Sequence, residues 1–242
     1  MPSTNGHVVY CAGPMFSPGD MTEMAAIAAA LEQAGYATYL PQRDGIEVAS
    51  VMKSLGGGGS APTVPPDSAG QVTDLMRKAV FSLDLFQLLS RCDCVVFNMN
   101  GRVPDDGGVS ETAMAFASGK PVVIYKDDPI TILMGLDNPL VQGLSYTWAY
   151  AGSYDAIAPR LTAFLAQYQQ LWGAPPKPSL SGYVTGAVGI GDQVWSEMVK
   201  LRTQYPDPND SLKVTLGVIA WIMQPDNQAA FAKVFPKAVA SS

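Results

Sequence analysis

The chain predicts a doubly wound α/β fold, a parallel sheet of about five strands wrapped by helices on both faces, with a helical extension behind it. Three observations carry this. Short apolar runs alternate with longer segments of helical periodicity up to about residue 172. The runs are apolar at nearly every position, as in strands buried on both faces, and do not alternate with polar residues. After the Pro-rich stretch WGAPPKP (172–178) only helical patterns remain.

Taken in order, HVVYCAG (7–13) is the first strand, closed by Gly13 and Pro14. GDMTEMAAIAAALEQAGY follows as a helix, with Asp20 as its cap candidate and Gly35 as its stop. ATYLP (37–41) is the second strand. Residues 45–70, containing GGGGSAPTVPP, have no periodicity and read as a long loop of the kind that covers a site. TDLMRKAVFSLDLFQLLSRC (73–92) repeats apolar residues at helical spacing, and DCVVFNM (93–99) is the third strand. SETAMAFAS (110–118) is a short helix stopped by Gly119, PVVIY (121–125) the fourth strand, and SYTWAY (145–150) the fifth. YDAIAPRLTAFLAQYQQLW (154–172) is a covering helix. Beyond the Pro-rich stretch, two or three helices are expected, GIGDQVWSEMVKLRTQY and DSLKVTLGVIAWIMQ being the clearest, with their apolar stripes serving as packing surface. The expected division is a catalytic domain over 1–172 and a helical extension over 173–242.

Composition narrows the function. At 242 residues and 48% hydrophobic the chain can bury one good core with a small appendage. Its 15 basic and 21 acidic residues give a net charge of −6, which argues against binding a nucleic-acid polymer. No apolar run approaches the roughly 18–20 residues of a membrane span, and the first residues do not resemble a signal peptide, so a cytoplasmic location is expected. Cys11, Cys92 and Cys94, an odd number without metal-ligand spacing, read as reduced buried thiols. The single histidine, His7, precedes the first strand. A serine–histidine hydrolase or a multi-histidine zinc site is therefore not expected, and acid–base chemistry must run on carboxylates, tyrosine or lysine.

One turn concentrates such groups. PDDGGVSE (104–111) gathers two aspartates, two glycines and a glutamate after the third strand, at the carboxyl end where parallel sheets bind ligands. Gly107 and Gly108 allow a sharp turn and close backbone approach to a ligand, and Gly13 sits at the matching end of the first strand. Ser110 or the preceding loop caps the short helix, which sets Glu111 in its first turn, where the helix dipole favours an ionised carboxylate. Asp105 and Asp106 lie nearby, and like charges held together do not all ionise easily, so one of the two is expected to donate a proton. A carboxylate that attacks beside another that protonates the leaving group is the logic of retaining glycosyl transfer. A solvated loop with a capping acid explains the same residues from local sequence alone.

A wider pattern separates these readings. YCAGPMF (10–16), FSLDLFQLLSRCDCVVFNMNG (81–101), DDGGVSETAMAFASGKPVV (105–123) and NPL (138–140) occur in that order. Together they resemble the nucleoside 2-deoxyribosyltransferase family over about residues 7–145, whereas 45–70 and everything after about 175 lie outside the resemblance. The resemblance implies a flavodoxin-like sheet and a set of roles. Glu111 matches the nucleophile that attacks C1′ of the deoxyribose. Asp105 matches the aspartate that contacts the base and assists its protonation, and Asp84 the aspartate of the preceding helix that faces base and sugar. Tyr10 matches the tyrosine whose hydroxyl orients the nucleophile, and Phe16 the aromatic side chain packed on the ligand. Asn138 resembles the asparagine that a neighbouring subunit lends to the sugar 5′-hydroxyl, which implies a homo-oligomer. Gln42 and Asp44, after the second strand, are expected to line the base pocket. Gly108 stands where the family usually has threonine or another small residue.

The function that the resemblance implies is transfer of 2-deoxyribose between nucleobases, with side hydrolysis, the partners being a 2′-deoxynucleoside and a free nucleobase; no metal or organic cofactor is needed, which fits the single histidine. The alternatives are a hydrolase of nucleoside 5′-monophosphates, for which Ser17 is the one evident anion donor in the first loop, and a nucleotide-binding module without turnover.

Overall fold

The computed structural model describes residues 6–46, 69–101, 103–130, 136–174 and 178–236; the loop expected over 45–70 lies, apart from its ends, outside the described residues. The chain forms two compact units, one of residues 1–44 and 87–179, the other of residues 45–86 and 180–242.

The first unit is a five-stranded parallel sheet. Its strands are β1 (Val8–Ala12), β2 (Ala37–Tyr39), β3 (Cys94–Asn98), β4 (Val122–Tyr125) and β5 (Tyr150–Ala151), in the order β2-β1-β3-β4-β5. This is the flavodoxin-like order, and the direction of winding switches between β1 and β3, so the ligand crevice of such a sheet lies at the carboxyl ends of those two strands. Between the strands run α1 (Pro18–Gln33) and a single turn, α2 (Pro41–Asp44). Strand side chains alternate between faces. Val9 and Cys11 of β1 join Cys94, Val96, Val123 and Tyr125 in one core with Met24, Ile27 and Leu31 of α1. Tyr10 and Ala12 therefore point to the other face.

Two helix starts differ from expectation. α1 is capped by Ser17, not Asp20: the Ser17 Oγ accepts from the Asp20 N–H at 3.1 Å and the Asp20 Oδ2 accepts from the Ser17 N–H at 2.9 Å, a complete capping box. The helix after β3 begins four residues before Ser110, with Asp105 as its cap.

In the second unit, α3 (Ala69–Phe86) carries Val72, Leu75, Met76, Ala79 and Leu83 on one stripe. Those residues share a core with Ile190, Val194 and Met198 of a long C-terminal helix. Helix α3, which lies within the expected catalytic domain, thus groups with the C-terminal helices, because they cover its stripe. A wide π-helical turn, Gln87–Arg91, follows α3 and opens the return of the chain to the first unit.

Chain order continues with α4 (Asp106–Ala117), a short α5 (Pro139–Gln142) and α6 (Tyr154–Trp172), which covers the α1 face of the sheet. The second unit is completed by α7 (Gly182–Gln204), α8 (Ser211–Ile222) and α9 (Pro225–Val234). Among the described residues no helix is long and apolar enough to cross a membrane.

Candidate active site

Tyr10 is the first anchor. Its ring is fully buried in β1, with the Tyr39 ring 5.3 Å away, centroid to centroid. The sheet face on which it lies is the one covered by α4, and there its hydroxyl donates to the Glu111 Oε1 at 2.7 Å. The pair, 101 positions apart in sequence, joins the centre of β1 to the second turn of α4. This corrects the expected first-turn position of Glu111: the helix dipole falls off within the first turn, and a directed phenol hydrogen bond holds the carboxylate instead.

The turn before Glu111 is fixed by its own acids and glycines. Asp105 caps α4, its Oδ2 accepting from the Gly108 N–H at 2.5 Å, so this carboxylate oxygen belongs to the cap. Asp106 is exposed on the first turn. Gly108 is buried where α4 crosses the end of β1. A Cβ there would lie 2.7 Å from the Phe97 ring, 3.2 Å from Asp105 Oδ2 and 3.2 Å from the Gly13 Cα. Gly13 is the other half of the crossing: its φ is +152°, and a Cβ would meet Met24 Sδ at 2.7 Å and Asn98 Cβ at 2.9 Å. Two glycines thus bring the strand and the helix close enough for Tyr10 to reach Glu111. Gly107 is exposed, and a Cβ on it would crowd Asp105 Oδ2 at 3.2 Å. Gly108→Ala is expected to destabilise the protein by about 2 kcal/mol, the usual range for overpacking a tight contact, read in a denaturant melt.

The remaining candidates are held by contacts of their own or stand exposed. Phe16 is 86% exposed on the loop after β1. Gln42 donates its amide to the Met21 carbonyl at 2.7 Å, and its Oε1 is buried with no hydrogen-bond partner. Asp44 is occupied locally, its Oδ2 accepting from the Leu40 N–H at 2.8 Å and from Arg43 Nη2 at 2.8 Å. Asn138 is exposed and caps α5, its Oδ1 accepting from the Leu140 N–H at 2.9 Å. Asp84 lies half-buried on α3, in the second unit, so it belongs to a different compact body from Tyr10, Asp105 and Glu111.

The other reactive types stand apart. The three thiols are free and buried, and burial pushes Cys92 up to about 12 and raises Cys11 and Cys94 well above the usual thiol range, which leaves no thiolate at neutral pH. His7 precedes β1 and lies 3.9 Å from Asp93, at the amino end of the sheet.

Sequence reading missed a polar cluster at the end of β3. Asn98 and Asn100 donate to the two oxygens of Glu23 at 2.8 and 2.6 Å, and Asn100 also donates to Asp127 Oδ1 at 2.7 Å. The one local signal is the Asn100–Gly101 dipeptide, a turn former directly after a strand.

No curated protein matches the chain. Among solved structures, a conserved protein from Enterococcus faecalis V583 aligns with 65% of this chain and 98% of its own, at 21% identity and a TM-score of 0.43. The family model described as nucleoside 2-deoxyribosyltransferase matches residues 9–146, a span that contains β1, β3, the Asp105 cap and α4. With more than half its length matched, and both partners of the Tyr10–Glu111 hydrogen bond inside the match, the chain belongs to the nucleoside 2-deoxyribosyltransferase family.

Proposed function

We propose that the protein transfers 2-deoxyribose from a 2′-deoxynucleoside to a free nucleobase, with Glu111 as nucleophile. The observation that carries this reading is the 2.7 Å hydrogen bond from the buried Tyr10 hydroxyl to Glu111, at the switch point of a sheet whose family is a pentosyltransferase family. A directed hydrogen bond fixes the orientation of the Glu111 carboxylate, as a nucleophile requires.

In the first step a Glu111 oxygen bonds to C1′ and the C1′–N bond breaks. Its electron pair goes to the base nitrogen, and the base takes a proton from Asp105. In the second step the nitrogen of the incoming base attacks C1′, returns a proton to Asp105, and releases Glu111 as carboxylate. Water in place of the second base gives hydrolysis. The oxocarbenium-like transition state forms more readily without an electron-withdrawing 2′-hydroxyl, so ribonucleosides should react poorly. The unpartnered Gln42 Oε1 supports a role in taking a base N–H, and Gly13 and Gly107 support close backbone approach.

The helix starts favour nucleosides over 5′-monophosphates. At α1, Ser17 and Asp20 occupy each other's backbone N–H groups, and at α4 the end is capped by Asp105 and followed by Asp106. Acids at both helix ends repel the phosphate that bare N-termini would attract. Phe16, Val103, Leu136 and Leu140 are exposed on the segments after β1, β3 and β4, which supports coverage by a second copy that lends Asn138.

The test is chromatography of the protein with 2′-deoxyinosine and adenine. New 2′-deoxyadenosine is the expected product. Hypoxanthine alone would mean hydrolysis, and no base release from either the nucleoside or its 5′-monophosphate would overturn the reading in favour of binding without turnover.

A further inference from the structure

We propose that Asn100 is a positioning residue, whose amide holds helix α1, the β3–α4 turn and the segment after β4 in one register. Its Nδ2 donates to Glu23 Oε1 at 2.6 Å and to Asp127 Oδ1 at 2.7 Å, and its Oδ1 accepts from the backbone N–H groups of Asp127 at 3.1 Å and Asp128 at 3.3 Å. The Asn100 N–H in turn donates to Asn98 Oδ1 at 3.0 Å, while Asn98 Nδ2 holds the other oxygen of Glu23 at 2.8 Å. The next residue extends the tie. Gly101 adopts a φ of +101°, and its N–H donates to Asp128 Oδ2 at 2.5 Å. Asp128 is itself fixed: burial works against its charge, but Lys126 at 2.7 Å and the Gly101 N–H outweigh it and hold its carboxyl below the usual carboxylate range.

Only an amide satisfies this place. The surroundings offer carboxylate acceptors on two sides, Glu23 and Asp127, and two backbone donors on a third. Aspartate would bring no hydrogen to the carboxylates, and alanine would remove all four bonds and with them the tie between the segments. The three tied segments are those bearing on the site: α1 follows the Phe16 loop, Asn100–Gly101 opens the turn that ends at Asp105, and Asp127–Asp128 opens the stretch that leads to Asn138. That this register serves base exchange rests on the function proposed above.

The experiment compares wild type with Asn100→Ala, Asn100→Asp and the double variant Asn100→Asp/Glu23→Gln, by base-exchange kinetics, thermal melts and amide hydrogen exchange. Asn100→Ala should lower kcat roughly tenfold to a hundredfold, the scale of a misplaced catalytic group, while the protein stays folded at the assay temperature. Amide exchange over 99–109 and at 127–128 should quicken. Asn100→Asp should be worse than alanine, because its carboxylate faces Glu23 and Asp127. The amide introduced by Glu23→Gln supplies the missing donor and should restore part of the loss. Unchanged amide exchange, a kcat within twofold of wild type, or a loss that merely follows the unfolded fraction would each overturn the proposal. An inactive wild type would sink the proposed function instead, and amide exchange would still decide whether Asn100 ties the three segments.

Discussion

Glu111→Gln is expected to lower base exchange by about a thousandfold or more, the scale of losing a covalent nucleophile, with little change in stability. The amide keeps the shape of the side chain and can still accept the Tyr10 hydroxyl hydrogen bond seen at 2.7 Å. What it cannot do is form the glycosyl ester. Tyr10→Phe removes only the donor, and the expected cost is smaller, about tenfold, in line with roughly 1.5 kcal/mol for a hydrogen bond to a charged group. Steady-state kcat/KM for both variants checks the order. Equal losses in the two would assign the hydroxyl a direct part in the chemistry.

Gly191→Ala should have the largest effect on stability. A Cβ at this position of α7 would stand 2.0 Å from the Ser82 carbonyl oxygen, 2.6 Å from its carbon and 2.7 Å from Phe86 Cβ. Two of the three are backbone atoms of α3, so no side-chain rotation relieves the clash and the helices must separate. About 3 kcal/mol is expected, the upper part of the overpacking range. Gly186→Ala meets only the Val234 side chain, at 3.1 Å, and should cost less. Gly189→Ala meets nothing within 4 Å inside the same helix and should stabilise by about 0.5–1 kcal/mol through helix propensity. Denaturant melts, with hydrogen exchange over 69–86 and 182–204, distinguish the three.

The strands were legible because burial on both faces leaves continuous apolar runs, and β1, β3 and β4 appear within a residue or two of those runs. The start of α4 was not. Two consecutive glycines are poor helix formers and read as a turn, so the helical pattern starts only at Ser110, with the cap open between Ser110 and the preceding loop. What puts them in the helix is tertiary: Gly108 fits against Phe97 and Gly13, where any larger residue would collide. The stripe on α3 was equally visible, but periodicity says that a face is covered and not by what. The covering residues lie more than a hundred positions later, in α7. At the site, local sequence showed a cluster of acids, and only the family resemblance joined Tyr10 to Glu111. The Asn100 ties were silent because short polar residues after a strand look like any loop; their meaning depends on Glu23 and Asp127, which the fold alone brings near.

The central claim is that Glu111 carries the sugar. Its most direct test is mass spectrometry of the protein quenched during turnover of 2′-deoxyinosine. The account predicts a mass gain of one deoxyribosyl group, mapped to the peptide that contains Glu111, lost on adding adenine and absent from Glu111→Gln. Base exchange that proceeds without the adduct, or an adduct that persists in Glu111→Gln, would contradict it.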